Sequence, residues 1–454
     1  MRNIVLALGP LLAVLVGLAV GNVSGSAAGW AAGVTTLCAV WWIFEPIPIP
    51  ATSMIPLAVF PLLGILTAKE VADSYGNALI LLLMGGFMLS TAMERSGAHR
   101  RLALGMVNLF GGAGGKSLVF GFMAASAFLS MWISNTATVL MLLPIVLAVT
   151  EGLEDHRLKL ALILGIAYAG SVGGIGTPIG TPPNLIMLQV YRETTGIEPT
   201  FSQWMGWALP VVVIMVPLIG LWLTRGLGPA KSIDLPKAGA WRPEEVRTLT
   251  VFGLTALAWM TRREPFGGWS SWLDLPTAND ASVAMLAVVV MFLVPNGRGG
   301  QLLSWERAGN IPWGILLLFG GGIAIAKAFA ATGISASLGQ QLAQLQTLPL
   351  ILILAMLCLT VTFLTEITSN TATTALLMPI MAAAGVAAGI DPKLLMVPAA
   401  MTASCAFMLP VATGPNAVVF SSQRITIREM AREGLVLNLL GVVVVTCVSY
   451  FLFS

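Results

Sequence analysis

The chain has 454 residues, of which 57% are hydrophobic and 9% charged, with a mean hydropathy of +0.89 and a formal charge of +3. A soluble protein of this size carries about a quarter charged residues, so this composition excludes one and leaves a polytopic membrane protein. The small net charge gives no sign of a nucleic-acid partner.

Apolar runs approach the roughly 20 residues that cross a bilayer core about 30 Å thick. They predict eleven crossings, over about 4–20, 30–44, 51–66, 79–95, 158–191, 206–224, 247–260, 281–294, 312–330, 394–420 and 434–453. The first could pass for a signal peptide, but in so hydrophobic a chain it reads as an uncleaved span. The fifth and tenth are interrupted by GTPPN (180–184) and ATGPN (412–416). Two further apolar stretches, 117–150 and 348–388, carry the same five letters, SNTAT, in their middles. Each reads as a helical hairpin that enters the membrane and leaves on the same side.

Charge supports this arrangement, because basic residues collect on the cytoplasmic side. With the N-terminus inside, the outer segments receive only Lys69, Arg192, Arg262, Arg263 and Lys393 of the 23 Lys and Arg residues. Lys327 lies within a span, and the other 17 fall inside. Treating either hairpin as a crossing would put most later basic residues on the wrong side. The predicted location is the cell (inner) membrane, with a cytoplasmic N-terminus and an external C-terminus.

The two SNTAT segments belong to a longer repeat. Residues 131–149 and 366–384, offset by 235, share nine identities in 19 positions. The same offset pairs LLLMGG (81–86) with LLLFGG (316–321). An odd number of crossings separates the copies, so the second is upside down relative to the first. Inverted repeats are a transporter signature, with sites near the midplane where the repeats meet. The expected domains are N-terminal scaffold spans over 1–66, a first repeat over 67–224, a linker over 225–246 and a second repeat over 247–454. Segments 97–112 and 333–346 read as amphipathic arms lying at the membrane interface.

The chemistry follows from what a re-entrant tip leaves unpaired. Helix ends have free backbone groups, and lipid offers them no partner. Ser, Asn and Thr start helices well, so Asn135 and Asn370 can begin the helices that run back out. Those N-termini carry a partial positive charge of roughly half a unit and free N–H groups, which suit an anion without Lys or Arg. Proline forbids a continuous helix at TPPN and TGPN. The carbonyls freed there suit a hard cation such as Na⁺. One polar island could be helix packing glue; two identical ones in inverted copies, each followed by a break ending in Pro-Asn, are better read as a transport site. The small residues of GSAAGWAAG (25–33) are adequately explained by helix packing. Glu366, three residues before Ser369, has no matching acid in the first copy; it reads as orienting the loop through backbone hydrogen bonds, with coupled protonation as the alternative. Cys38, Cys358, Cys405 and Cys447 read as small packing residues, and His99 and His156 as solvated loop residues.

These residues resemble the divalent anion/sodium symporter family over essentially the whole chain, through the paired SNT motifs each followed by a T-x-P-N break. The resemblance implies a homodimer working by an elevator motion, moving dicarboxylates, citrate or sulfate with Na⁺. It implies substrate contacts at Asn135, Thr136, Asn370 and Thr371, with Thr181 and Thr413 nearby. It implies one sodium site at Ser130, Ser134, Asn135 and the carbonyl of Gly180, and another at Thr365, Thr368, Asn370 and the carbonyl of Ala412. The internal alignment agrees, pairing Ser130 with Thr365, Asn135 with Asn370 and Gly180 with Ala412. Gly414, where the first copy has Pro182, departs from the repeat and is expected to loosen that side of the site. The expected function is import of a di- or tricarboxylate of the succinate, malate or fumarate class with Na⁺. The alternatives are sodium-independent exchange, or transport of sulfate or citrate. A channel fits less well, and the absence of HExxH and GxSxG motifs argues against an enzyme.

Overall fold

The computed structural model describes residues 2–110, 114–151, 155–228, 239–337 and 349–453, and among them the regular structure is helical apart from one isolated bridge between Pro295 and Gln301. Nine helices among the described residues are long and apolar enough to cross a membrane. They do not coincide with the eleven expected crossings. Both arms of the second hairpin meet the length criterion, whereas the expected span 51–66 is two short pieces, Ile49–Ser53 and Ile55–Leu62. Asp280–Leu293 has only 14 residues. Ten residues of the expected linker (229–238), and most of the second arm (338–348), lie outside the described residues. The first arm is a helix, Ala98–Phe110.

The helices form two groups. The first contains Arg2–Ser24, Ser26–Phe44, Ile49–Leu62, Ala78–Ser96, Pro243–Met260, Asp280–Leu293 and Trp313–Ala331, packed on one another. Arg2–Ser24 lies along Ser26–Phe44, and a methyl on Gly29 would meet the Gly21 backbone at 2.8 Å, so the small residues of 25–33 serve close helix packing. The second group contains both hairpins, both interrupted helices, Phe201–Leu223 and Ile427–Phe453. Burial differs widely between individual helices. In Arg2–Ser24 only 11% of the most apolar window is buried, which suits contact with lipid, whereas in His156–Gly176 the figure is 89%. The first interrupted helix is thus an interior axis against which the first hairpin, Phe201–Leu223 and Gly414–Ser421 pack.

The expected interruptions occur where proline requires them. His156–Gly173 runs into a 3₁₀ turn (Gly174–Gly176) and resumes as Pro182–Thr195. Lys393–Ala403 stops and resumes as Gly414–Ser421. The later halves cross over: Pro182–Thr195 packs on the outgoing arm of the second hairpin, and Gly414–Ser421 on that of the first.

Two sequence readings need adjustment. His99 is buried, not solvated, and its Nδ1 lies 3.0 Å from the Met93 carbonyl. His156 is exposed, as expected, and meets Glu429 at 2.7 Å. Cys38, Cys358 and Cys405 are buried without a disulfide, in keeping with a packing role.

At one end of the molecule Arg262, 2% exposed, holds Asp280 through Nε–Oδ1 and Nη2–Oδ2 bonds of 2.6 and 3.2 Å. Its Nη1 also donates to the Ala278 carbonyl at 3.0 Å. Removing one partner of such a buried pair strands the other charge. Arg262→Met is expected to cost about 3 kcal/mol, read as an earlier thermal transition of the purified protein in detergent. An unchanged transition would show that the pair is not a structural anchor.

Candidate functional site

Both hairpin tips are built alike. The first descends as Gly115–Ser130, turns through 131–134 and returns as Asn135–Thr150; the second descends as Leu350–Ile367 and returns as Asn370–Ala387. The returning helices start at the two asparagines the sequence nominates. Ser134 and Ser369 stand at the cap positions, yet neither side chain bonds to its own helix. The first-turn N–H groups are therefore not closed off by a cap, and the positive helix ends face outward.

The asparagine side chains are oriented by hydroxyls from the descending arms. Ser130 Oγ donates to Asn135 Oδ1 at 2.5 Å, and Thr365 Oγ1 donates to Asn370 Oδ1 at 2.6 Å and also approaches the Ala403 carbonyl at 3.0 Å. Neither asparagine Nδ2 has a protein acceptor among the described residues. Thr368 behaves differently. Its hydroxyl lies 2.5 Å from Thr373 Oγ1 and donates to the Leu364 carbonyl at 2.8 Å, so it closes the turn instead of reaching Asn370.

The two tips and the two breaks meet at one cavity of about 650 Å³. The first half contributes Ser134, Asn135, Thr136, Gly180 and Thr181, and the second Asn370, Thr371, Ala412 and Thr413, with Ser369 beside them. Ser130, Thr365 and Thr368 are buried outside this lining. Thus the nominated substrate residues share one cavity, while three of the nominated cation residues stand apart from its wall.

Gly414 does not loosen its side. A methyl there would overlap Thr136 Oγ1 and lie 3.2 Å from Thr136 Cβ, so the missing side chain lets the second break close onto the first tip. Gly174 plays a related part, since a methyl would come within 2.7 Å of Asn135 Nδ2.

Several residues that complete the site were not singled out for these contacts. Asn184 Nδ2 donates to the Gly174, Ile175 and Thr177 carbonyls at 3.0, 3.3 and 2.7 Å. Asn416 Nδ2 does the same for Ala406 and Leu409 at 3.1 and 3.0 Å. The asparagine of each Pro-Asn pair therefore staples its own broken helix; its place as the last residue of GTPPN and ATGPN was the available signal. Trp204 Nε1 adds a bond to the Ile175 carbonyl at 2.9 Å. Ser171 and Ser404, each near the end of the first half of its broken helix, are buried with hydroxyls lacking a protein partner among the described residues, and Ser171 lines the cavity.

Glu366 has the orienting role. Its Oε1 accepts from Phe407 N at 2.7 Å, Met408 N at 2.9 Å and Asn438 Nδ2 at 2.7 Å, while Oε2 accepts from Leu409 N at 3.0 Å. The aligned residue of the first copy, Met131, uses its backbone carbonyl, which accepts from Thr177 Oγ1. The two copies thus tie tip to break with different groups. Glu366→Leu would strand the Met408 and Leu409 N–H groups, since Phe407 N keeps Asn438 Oδ1 at 3.1 Å, and its expected cost is about 3 kcal/mol. A lower thermal transition in detergent checks this, and wild-type stability would refute it.

Comparison with known proteins agrees with the geometry. The family model described as "Sodium:sulfate symporter transmembrane region" matches residues 11–453. The sodium-dependent dicarboxylate transporter SdcS of Staphylococcus saprophyticus is 40% identical over 444 residues, covering 92% of this chain and 85% of that protein. SdcS of Staphylococcus aureus is 38% identical over 443 residues, covering 92% and 84%. Among solved structures, the Alcanivorax borkumensis YdaH transporter superposes with a TM-score of 0.61 at 15% identity, covering 87% of this chain and 90% of that one. That likeness concerns fold alone. With a family model matched almost end to end and relatives at this identity, the chain belongs to the sodium:sulfate symporter family, and it is a multi-pass membrane transporter, not an enzyme.

Proposed function

We propose that the protein imports a di- or tricarboxylate of the succinate, malate or fumarate class together with Na⁺, by an elevator motion. The observation that carries this reading is the cavity where both SNT tips meet both breaks, lined by amides, hydroxyls and helix N-termini and, among the described residues, by no Lys or Arg. The naming of the SdcS relatives as sodium-dependent dicarboxylate transporters supports the substrate class and the ion.

Two carboxylates are held in this reading by the paired helix starts, with Asn135 and Thr136 on one side and Asn370 and Thr371 on the other. Thr181 and Thr413 flank them. Na⁺ binds behind each tip. At the first it takes Asn135 Oδ1, the Ser130 and Ser134 hydroxyls and the Gly180 carbonyl. At the second it takes Asn370 Oδ1, the Thr365 hydroxyl and the Ala412 carbonyl, with Thr368 joining after its hydroxyl turns. A cation there orders the tip and offsets a dianion's charge, which would otherwise be strongly disfavoured in a membrane. The hairpins and broken helices then move as a unit in two inverted repeats. The first group of helices stays fixed as the scaffold of a homodimer. The remaining cavity wall, from Gly86 to Glu94 and Asn310 to Ile315, comes from helix ends that the basic-residue bias assigns to the cytoplasm. The state described is therefore inward-facing, with the N-terminus inside and the C-terminus outside.

Purified protein in liposomes is expected to accumulate labelled succinate only under an inward Na⁺ gradient. Asn135→Ala and Asn370→Ala should each abolish uptake while the elution profile stays normal; normal uptake in both would refute the site. Sodium-independent uptake that needs internal dicarboxylate would make the protein an exchanger, and uptake of sulfate or citrate without succinate would change the substrate. Ser130→Ala and Thr365→Ala lose one ligand each, so their half-saturating Na⁺ is expected to rise about tenfold. An unchanged Na⁺ dependence in both would remove these hydroxyls from the cation sites.

A further inference from the structure

The cavity wall opposite the hairpin tips is formed by one face of Ala78–Ser96. Gly86, Phe87, Ser90, Thr91 and Glu94 recur at the three- and four-residue spacings that align on a helix. Among the described residues, Glu94 is the only ionisable side chain in the lining of a cavity read as an anion site. It is exposed within that cavity. Among the described residues its one side-chain partner is Ser90 Oγ at 3.3 Å, and no Lys, Arg or His forms an ion pair with it. Carboxylates held for structural reasons are paired or multiply hydrogen-bonded, as Glu366 is. Glu94 is neither.

The second copy of the repeat sharpens the point. The offset of 235 takes these five positions to Gly321, Gly322, Ile325, Ala326 and Phe329. That face has no polar side chain, and Ile325 and Phe329 are buried at 1% and 7% exposure. A carboxylate thus stands on one of two related walls and a buried phenyl ring on the other. Packing cannot explain the acid, because its own end of the cavity is open.

We infer that Glu94 is a specificity-determining residue on the release side: its negative charge repels the bound dianion, weakening retention and directing the anion to the cytoplasmic water. This rests on the reading of the cavity as the dicarboxylate path, open inward. The repulsion acts through a hydrated vestibule, where charges interact over a screening length of about 10 Å at 0.1 M salt. It is therefore sensitive to ionic strength, whereas the short hydrogen bonds at the tips are much less so.

The test is equilibrium binding of labelled succinate to the purified full chain at saturating Na⁺, in low and high choline chloride. Wild type, Glu94→Gln, Glu94→Asp and Asn135→Ala are compared. Glu94→Gln is expected to bind about tenfold more tightly at low ionic strength, with the gap closing as salt rises. Glu94→Asp, which keeps the charge, should stay near wild type. In liposomes Glu94→Gln should also release preloaded succinate more slowly. Wild-type affinity in Glu94→Gln at every salt concentration, or equal shifts in Gln and Asp variants, would overturn the inference. If that happens while wild type binds and Asn135→Ala does not, the dicarboxylate site itself still stands. Folded wild-type protein that binds no succinate would bring down both.

Discussion

Within a bilayer every backbone N–H and C=O must find a partner, since an unpaired one costs several kcal/mol. A transport site built from helix ends works against that rule, because free helix ends are what it offers its ligands. The chain meets the conflict by closing freed groups at both breaks with side chains, while the helix starts at the cavity carry no side-chain cap. Asn184 takes three carbonyls at the first break and Asn416 takes two at the second. Glu366 takes three consecutive N–H groups on the opposite side of the second break. The uncapped starts at Asn135 and Asn370 are then the exception that the rest of the packing supports.

The same constraint explains the division between the two helix groups. Irregular backbone is tolerated at membrane depth only when it is enclosed by protein, and Gly173–Gly176 and Ser404–Phe407 are buried. The helices nearest to lipid, such as Arg2–Ser24, have no break. The later half of each broken helix packs against the opposite hairpin, so the two polar tips cannot be positioned independently. Gly414 against Thr136 is the point where that mutual dependence is tightest.

Neutral donors have a consequence for the proposed cycle. A resident Lys or Arg would bind a dianion well but would leave a charge in the membrane whenever the site was empty. Helix N-termini and amides avoid that burden, and in the proposed reading Na⁺ supplies the missing positive charge only when cargo is present. In that reading the hydroxyls that hold Asn135 and Asn370 link the two events, because the group that orients the anion's donor would also be a cation ligand.

What the sequence by itself determined is the part that depends on local chemistry. Apolar run length identified the membrane class, proline's missing N–H located both breaks, and the helix-starting preference of Ser-Asn-Thr located both tips. These follow from neighbours a few residues apart. The tertiary structure decided which atoms satisfy the freed backbone: Glu366 finds partners 41 to 72 residues away, and no spacing rule reports those distances. It decided that His99 is buried although its neighbours are charged, that Thr368 closes a turn, and that Gly414 tightens the site. It also gave the cavity, among the described residues, one carboxylate among neutral groups, a fact visible only once residues from both copies stand around the same space.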